Sequence, residues 1–138
     1  MGLTVVDTGI LIGVLNAADP HHEASVSALR TRIDGGDKLL VPASVYAELL
    51  VEPFQRGDDA VEVVDAFLAS LGVQVREISA GVARVAARLR AEYGRGLRLP
   101  DALVVATAEV VRADRVLTTD RRWPSGHPVE VEVVGVSP

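Results

Sequence analysis

Four acidic residues occupy positions where an apolar element would ordinarily continue. In "LTVVDTGIL" a run of strand-forming residues ends on Asp7, and in "SVYAELL" Glu48 falls in the early turns of a helix that follows a strand. In "LRLPDALVVATA" Asp101 follows Pro100 at the start of an otherwise apolar helix, and Asp120 closes "VLTTD". Each has a plain structural use. Asp7 or Asp120 can cap the helix or turn that follows. Asp101 in a first helical turn is favoured by roughly 0.3–1 kcal/mol against the helix dipole, and Glu48 can be a solvated helix residue. Together they imply more. Carboxylates gathered at one edge repel unless something neutralises them, and the fitting neutraliser is Mg²⁺ or Mn²⁺, which prefers carboxylate, water and phosphate oxygens. Such a site suits phosphodiester hydrolysis, because the ion acidifies water, orients it and offsets charge on the phosphate.

Elements of alternating type must deliver these acids. Leu3–Val6 reads as a buried strand, Ile10–Asn16 as a short helix, His21–Ile33 as a helix and Lys38–Val41 as a second strand. Helices follow at Ala43–Gln55 and Asp59–Leu71, separated by "RGDD", then a strand at Val73–Glu77. Ser79–Tyr93 is strongly amphipathic, with Val82, Val85, Ala86 and Leu89 on one face. The loop "GRGLRLP" leads into a helix at Pro100–Arg112, and strands are expected at Val116–Thr118 and, at an edge, Val129–Val134. Apolar strands alternating with helices favour a parallel sheet covered on both faces. In such folds ligands bind beyond the carboxyl ends of the strands, which is where Asp7 and Asp120 fall.

The bulk properties narrow the field. With 138 residues, 49% of them hydrophobic, the chain is expected to form one domain over residues 1–138, with a core of Val, Leu, Ile and Ala. It has no cysteine and three histidines, His21, His22 and His127. Disulfides and thiolate sites are excluded and a zinc site is disfavoured, so any metal would be a hard cation on oxygen. No secretory signal is visible, and the longest uncharged stretch, Thr8 to Ala18, falls short of the roughly 20 residues a membrane span needs. A soluble, cytoplasmic protein is the expectation. A net charge of −5 argues against simple neutralisation of phosphates, unless some acids are ligands to a divalent ion that reverses the local sign.

The segments "VVDTGILIG", "SVYAELL", "LPDALVVATA" and "LTTDRRW" resemble, in order, the four acidic motifs of the PIN-domain ribonucleases, and most of all the VapC-type toxins of bacterial toxin–antitoxin pairs. The likeness spans essentially the whole chain. It implies a three-layer α/β/α sandwich with a mainly parallel five-stranded, Rossmann-like sheet, and metal-dependent endonucleolytic cleavage of RNA. By position it makes Asp7, Glu48, Asp101 and Asp120 the catalytic, metal-binding acids, with Asp7 and Asp101 the most direct ligands to Mg²⁺ or Mn²⁺. Thr118, and with it Thr8, would hold the acids through their hydroxyls. The visible departure is Gly9, where Ser or Asn is usual, which removes a supporting hydrogen bond and no direct ligand. The resemblance further implies a VapB-like antitoxin, a homodimer and a toxin–antitoxin hetero-oligomer.

Around this centre, Arg95, Arg98, Arg121 and Arg122 are candidate clamps for neighbouring RNA phosphates, or else a solvated loop face. Lys38 is the sole lysine, so RNA contacts would rest on arginine. Trp123 could stack on a base, but burial against the fold is the favoured reading. His21 and His22, beside Pro20, mark the start of a helix. Leu49, Leu50, Val51 and Phe54, with Val61, Val64 and Phe67, form either ordinary core or a groove for an amphipathic antitoxin helix. Three other readings compete. An aspartyl phosphatase usually needs a second Asp where Gly9 stands. A receiver-like, non-catalytic acidic pocket for a metal or partner wants an acidic pair and a downstream lysine, a pattern that Lys38 as the sole lysine fits poorly. A housekeeping RNA-processing nuclease shares every motif with a toxin.

Overall fold

The computed structural model describes residues 2–135 of the chain. Five strands, β1 (Leu3–Val6), β2 (Lys38–Pro42), β3 (Gln74–Arg76), β4 (Arg115–Thr118) and β5 (Glu130–Val133), form one sheet in the order β3–β2–β1–β4–β5, and every pairing is parallel. Six helices flank it: α1 (Thr8–Leu15), α2 (His22–Asp34), α3 (Ala43–Arg56), α4 (Asp58–Ser70), α5 (Ala80–Tyr93) and α6 (Leu99–Val111). The sheet is wholly parallel, where the resemblance implied mainly so. None of the helices in the described residues is long and apolar enough to cross a membrane.

The order of the strands decides where a site can form. The chain steps outward from β1 to β2 and β3, then returns across the sheet to β4 and β5. The reversal lies between β1 and β4, and in open sheets of this kind the site forms in the crevice beyond the carboxyl ends of the strands at that point. Thr4, Val5 and Val6 of β1 are fully buried, as are Val116, Leu117 and Thr118 of β4. The two edges are treated differently. Gln74, Val75 and Arg76 of β3 are all exposed, and β5 carries Glu130 and Glu132, so neither edge is a bare apolar template for another strand.

Element limits differ from the sequence reading in instructive places. The first helix begins at Thr8 and not at Ile10, because the Asp7 carboxylate accepts the Thr8 N–H at 2.9 Å and starts the helix directly from the strand. It stops at Leu15 because Asn16 turns its own side chain onto the Ala18 N–H. The expected strand at Val73–Glu77 shrinks to three residues, since its register ends opposite Pro42, which has no N–H to offer. The loop before α6 contains a single 3₁₀ turn, Gly94–Gly96.

At the amino ends of the strands, opposite the crevice, one carboxylate ties the sheet together. Asp37 accepts from the Gly2 N–H (3.1 Å), the Thr4 hydroxyl (2.8 Å) and an Arg115 guanidinium nitrogen (2.7 Å). Asp114 adds a bond from the Leu3 N–H at 2.7 Å. These contacts fix β1, β2 and β4 relative to one another and so align the opposite ends that carry the acids. The Thr4 hydrogen bond, with the Gly2 N–H and Arg115, holds the Asp37 carboxyl below its ordinary pKa. Asp37→Asn should cost about 2 kcal/mol, a fall of roughly 8 °C in melting temperature at this chain length. Because the folded pKa is depressed, this contribution is present above the unfolded value of about 4 and is lost as pH falls through the folded one. Melting curves of parent and variant should therefore converge in acid.

Candidate active site

Each acid of the site is placed by a different element. Asp7 follows the buried end of β1 and is only 9% exposed. Its Oδ1 accepts from the Thr8 N–H at 2.9 Å and its Oδ2 from the Thr118 hydroxyl at 2.8 Å. The bland reading of Asp7 as a helix cap therefore holds, and the cap leaves further lone pairs on both oxygens. Thr118 ends β4, and its Oγ1 also accepts the Asp120 N–H at 3.1 Å. One hydroxyl thus ties the carboxylate of Asp7 to the backbone of Asp120. Glu48 projects from α3, where its Oε1 accepts the Thr8 hydroxyl at 2.9 Å. Asp101 stands in the first turn of α6, whose Ala102, Val104, Val105, Ala106, Thr107 and Ala108 are buried, so that helix meets the crevice mainly by its amino end.

The electrostatics show that the four acids act on one another. Burial pushes Asp7 up to about 6, against hydrogen bonds from Thr118 and Thr8, and the charges of Asp101 and Glu48 raise it further. Asp101 is raised by burial and then by Asp120 and Glu48, with Arg98 opposing. At Asp120 burial is outweighed, because Arg122 lays its backbone N–H (2.8 Å) and its guanidinium (3.2 Å) on the carboxylate, and the pKa falls. The cluster is therefore uneven: Asp120 has its own counter-charge, while Asp7, Glu48 and Asp101 share little. Among the described residues, no three acidic or imidazole side chains close on one point as ion ligands do.

The arginines divide. Arg98, at the amino end of α6, and Arg122 are the cations that act on Asp101 and Asp120. Arg95 lies exposed in the 3₁₀ turn, and Arg121 lies with its Nη2 near Gly135 and the His21 ring. A residue the sequence reading passed over shapes this region. Arg90 donates from Nη1 to the carbonyls of Gly94 (2.6 Å) and Leu97 (2.9 Å), pinning the loop that presents Arg95, Arg98 and Asp101. Its signal was available: an arginine in the last turn of a helix, placed to meet carbonyls beyond it.

Beside Glu48 opens a groove of about 720 Å³ between α1, α3 and α4, lined by Ile12, Leu15, Leu49, Pro53, Val63 and Val64 among others. Of the residues expected there, Leu49 and Val64 line it. Leu50 is in the core, Val61 and Phe67 pack against it, and Val51 and Phe54 stand well exposed. Trp123 packs against the core as favoured, with its Nε1 buried and lacking a hydrogen bond. His21 and His22 open α2, His22 meeting the Gly13 carbonyl at 2.7 Å.

A parallel sheet of this order, with carboxylates from four elements at its reversal point, defines an acidic-centred α/β protein of the kind that works on phosphate esters. The PIN-domain signature matches residues 4–125, and the chain belongs to the PIN-domain family. Ribonuclease VapC42 of Mycobacterium tuberculosis and a VapC ribonuclease of Mycobacterium bovis are each 30% identical to it over 132 residues, 86% of this chain and 96% of theirs. Among solved structures, VapBC2 from Rickettsia felis bound to a promoter DNA fragment superposes with a TM-score of 0.74 at 17% identity, covering 96% of this chain and 98% of the other. A toxin–antitoxin complex from Klebsiella pneumoniae gives a TM-score of 0.72 at 24% identity, covering 94% and 96%.

The raised pKa of Asp7 sets a pH dependence of opposite sign to that of Asp37. The folded state holds the Asp7 proton between about 4 and about 6, so this group's contribution to stability falls as pH rises through that window. In metal-free buffer, Asp7→Asn should melt higher than the parent at pH 7, by about 2 kcal/mol, and lose the advantage by pH 4. Parallel thermal melts across that range check it.

Proposed function

We propose that this chain is a VapC-type toxin, a divalent-metal-dependent endoribonuclease of one PIN-like domain, restrained by a cognate antitoxin. The observation that carries the reading is Asp7: a carboxylate nine-tenths buried, raised to about 6, with acids beside it and, among the described residues, no cation that offsets it. That is costly for folding alone and sensible where a cation is to be held. The donors fit a hard ion. They are all oxygens, with no cysteine in the chain and no histidine among them. Asp7 and Asp101 would hold Mg²⁺ or Mn²⁺ directly, and Glu48 and Asp120 through water. When bound, the ion supplies Lewis acidity and a water of lowered pKa.

The rest of the work falls to the protein. Thr118 fixes the Asp7 carboxylate and the backbone of Asp120 together, and Thr8 does the same for Glu48. Arg98 and Arg122, the cations that act on Asp101 and Asp120, would receive phosphates on either side of the scissile one, with Arg95 and Arg121 as further candidates along the strand of RNA. The burial of Asp7 limits access of bulk water to its carboxylate.

The homologues named VapC ribonuclease favour a toxin over a housekeeping nuclease. The groove that starts at Glu48 suits the apolar face of an amphipathic antitoxin helix, with a basic side chain reaching the acids. A cytoplasmic homodimer, and a hetero-oligomer with the antitoxin, complete the reading.

Metal-stripped protein should leave a mixed structured RNA pool intact and cut it once Mg²⁺ or Mn²⁺ is restored. Asp101→Asn should lose a hundredfold or more, and Thr118→Val about 10–100-fold, as removal of a ligand's support does. An Asp101→Asn protein that cuts at the parent's rate would end this assignment. Val63→Asp, on the exposed lip of the groove, should leave cleavage unchanged while abolishing inhibition by the antitoxin, read as RNA cleavage in the presence of both proteins.

A further inference from the structure

Gly9 is the second residue of α1, a position where glycine costs up to about 1 kcal/mol relative to alanine. Its backbone does not need glycine's freedom, for it is not among the glycines with positive φ. What demands glycine is a neighbour. A Cβ at residue 9 would overlap the hydroxyl of Thr119, the residue between Thr118 and Asp120. Two successive hydroxyls therefore grip the junction of β1 and α1. That of Thr118 is bonded to Asp7, and that of Thr119 is seated on the bare Cα of Gly9. The segment that makes both contacts continues at once into Asp120, whose N–H is already tied to Thr118.

Neither contact alone fixes the spacing of the two acids. A single hydrogen bond at Thr118 leaves the following residues free to pivot about it. A second point of contact one residue on, against the rigid first turn of a helix, removes that freedom. We propose that Thr119 is a positioning residue of the acidic site: its hydroxyl, admitted by the absence of a side chain at Gly9, sets the placement of Asp120 against Asp7. The inference rests on the reading of these acids as a metal-holding ribonuclease site, and deepens it.

The two residues form a pair, so the test is a cycle: Thr119→Ala, Thr119→Ser, Gly9→Ala and the double variant Gly9→Ala with Thr119→Ala. Three readouts are taken on the full chain: melting temperature, Mn²⁺ affinity by calorimetry, and kcat and KM for RNA cleavage. Gly9→Ala alone forces its methyl against the hydroxyl and should lower the melting temperature. The double variant should recover it, because the methyl enters the space the hydroxyl leaves. Thr119→Ala should melt near the parent yet bind Mn²⁺ about tenfold more weakly and lose kcat by a similar factor, with KM little changed, as supporting groups of metal sites do. Thr119→Ser, which keeps the hydroxyl, should restore both.

Parent-like Mn²⁺ affinity and kcat in Thr119→Ala would overturn the proposal, as would melting effects of Gly9 and Thr119 that merely add. A parent that binds Mn²⁺ and cuts RNA while the cycle behaves in either of those ways removes only the role of Thr119. A parent that neither binds Mn²⁺ nor cuts RNA removes the reading of the site itself, and the positioning role with it.

Discussion

Repulsion among carboxylates is the constraint around which this molecule is arranged. Burial at the end of the central strand raises the pKa of Asp7, and the charges of Asp101, on α6, and Glu48, on α3, add to the rise. Nothing in ordinary core packing favours such a gathering. It persists because the surrounding contacts over-determine it. Each oxygen of Asp7 receives one hydrogen bond, Glu48 is held through Thr8, and Asp120 is hydrogen-bonded by a cation, Arg122. The stabilising charge pair of the sheet, Asp37 with Arg115, lies at the opposite end of the same strands. Along the strand axis, the Asp37–Arg115 pair thus lies at the amino ends and the raised carboxyl of Asp7 at the carboxyl ends.

This separation explains the economy of the core. β1 and β4 need be only four residues long, because they are anchored at both ends by polar contacts and are apolar between them. Helix α6 is buried through its middle, from Ala102 to Ala108, and its amino turn, where Asp101 and Arg98 sit, is more open. α3 divides its duties: Val45, Leu49 and Leu50 enter the core, while Glu48 turns to the acids.

Much of this was legible before the fold was known, because the acids interrupt apolar periodicity. Asp7, Asp101 and Asp120 stand at the ends of strands or helices whose hydrophobic runs announce those ends. The parallel sheet followed from strands that are apolar on both faces. What escaped the sequence depended on contacts between distant segments. The helix start at Thr8 was hidden because an Asp following a strand does not declare whether it caps a helix. The curtailed β3 depended on Pro42 being its partner, which is a matter of register. Arg90 was overlooked because its partners are backbone carbonyls, which carry no residue identity. Gly9 was noted as a lost hydrogen bond. The hydroxyl that fills its place comes from Thr119, and no local pattern links the two.

The order of the sheet has a temporal consequence. β1 is made first, but one of its two partners in the sheet is β4, and the hydrogen bond from Thr118 to Asp7 joins residues 111 apart. A chain emerging from the ribosome can pair β1 with β2 and β2 with β3 while one side of β1 remains open. Until β4 arrives, Asp7 lacks its threonine and Asp101 and Asp120 lack their place. Contacts of such long range form late and slowly. The cluster of acids is therefore assembled only when the strand that leads into its last member, Asp120, inserts beside the one that leads into the first, Asp7.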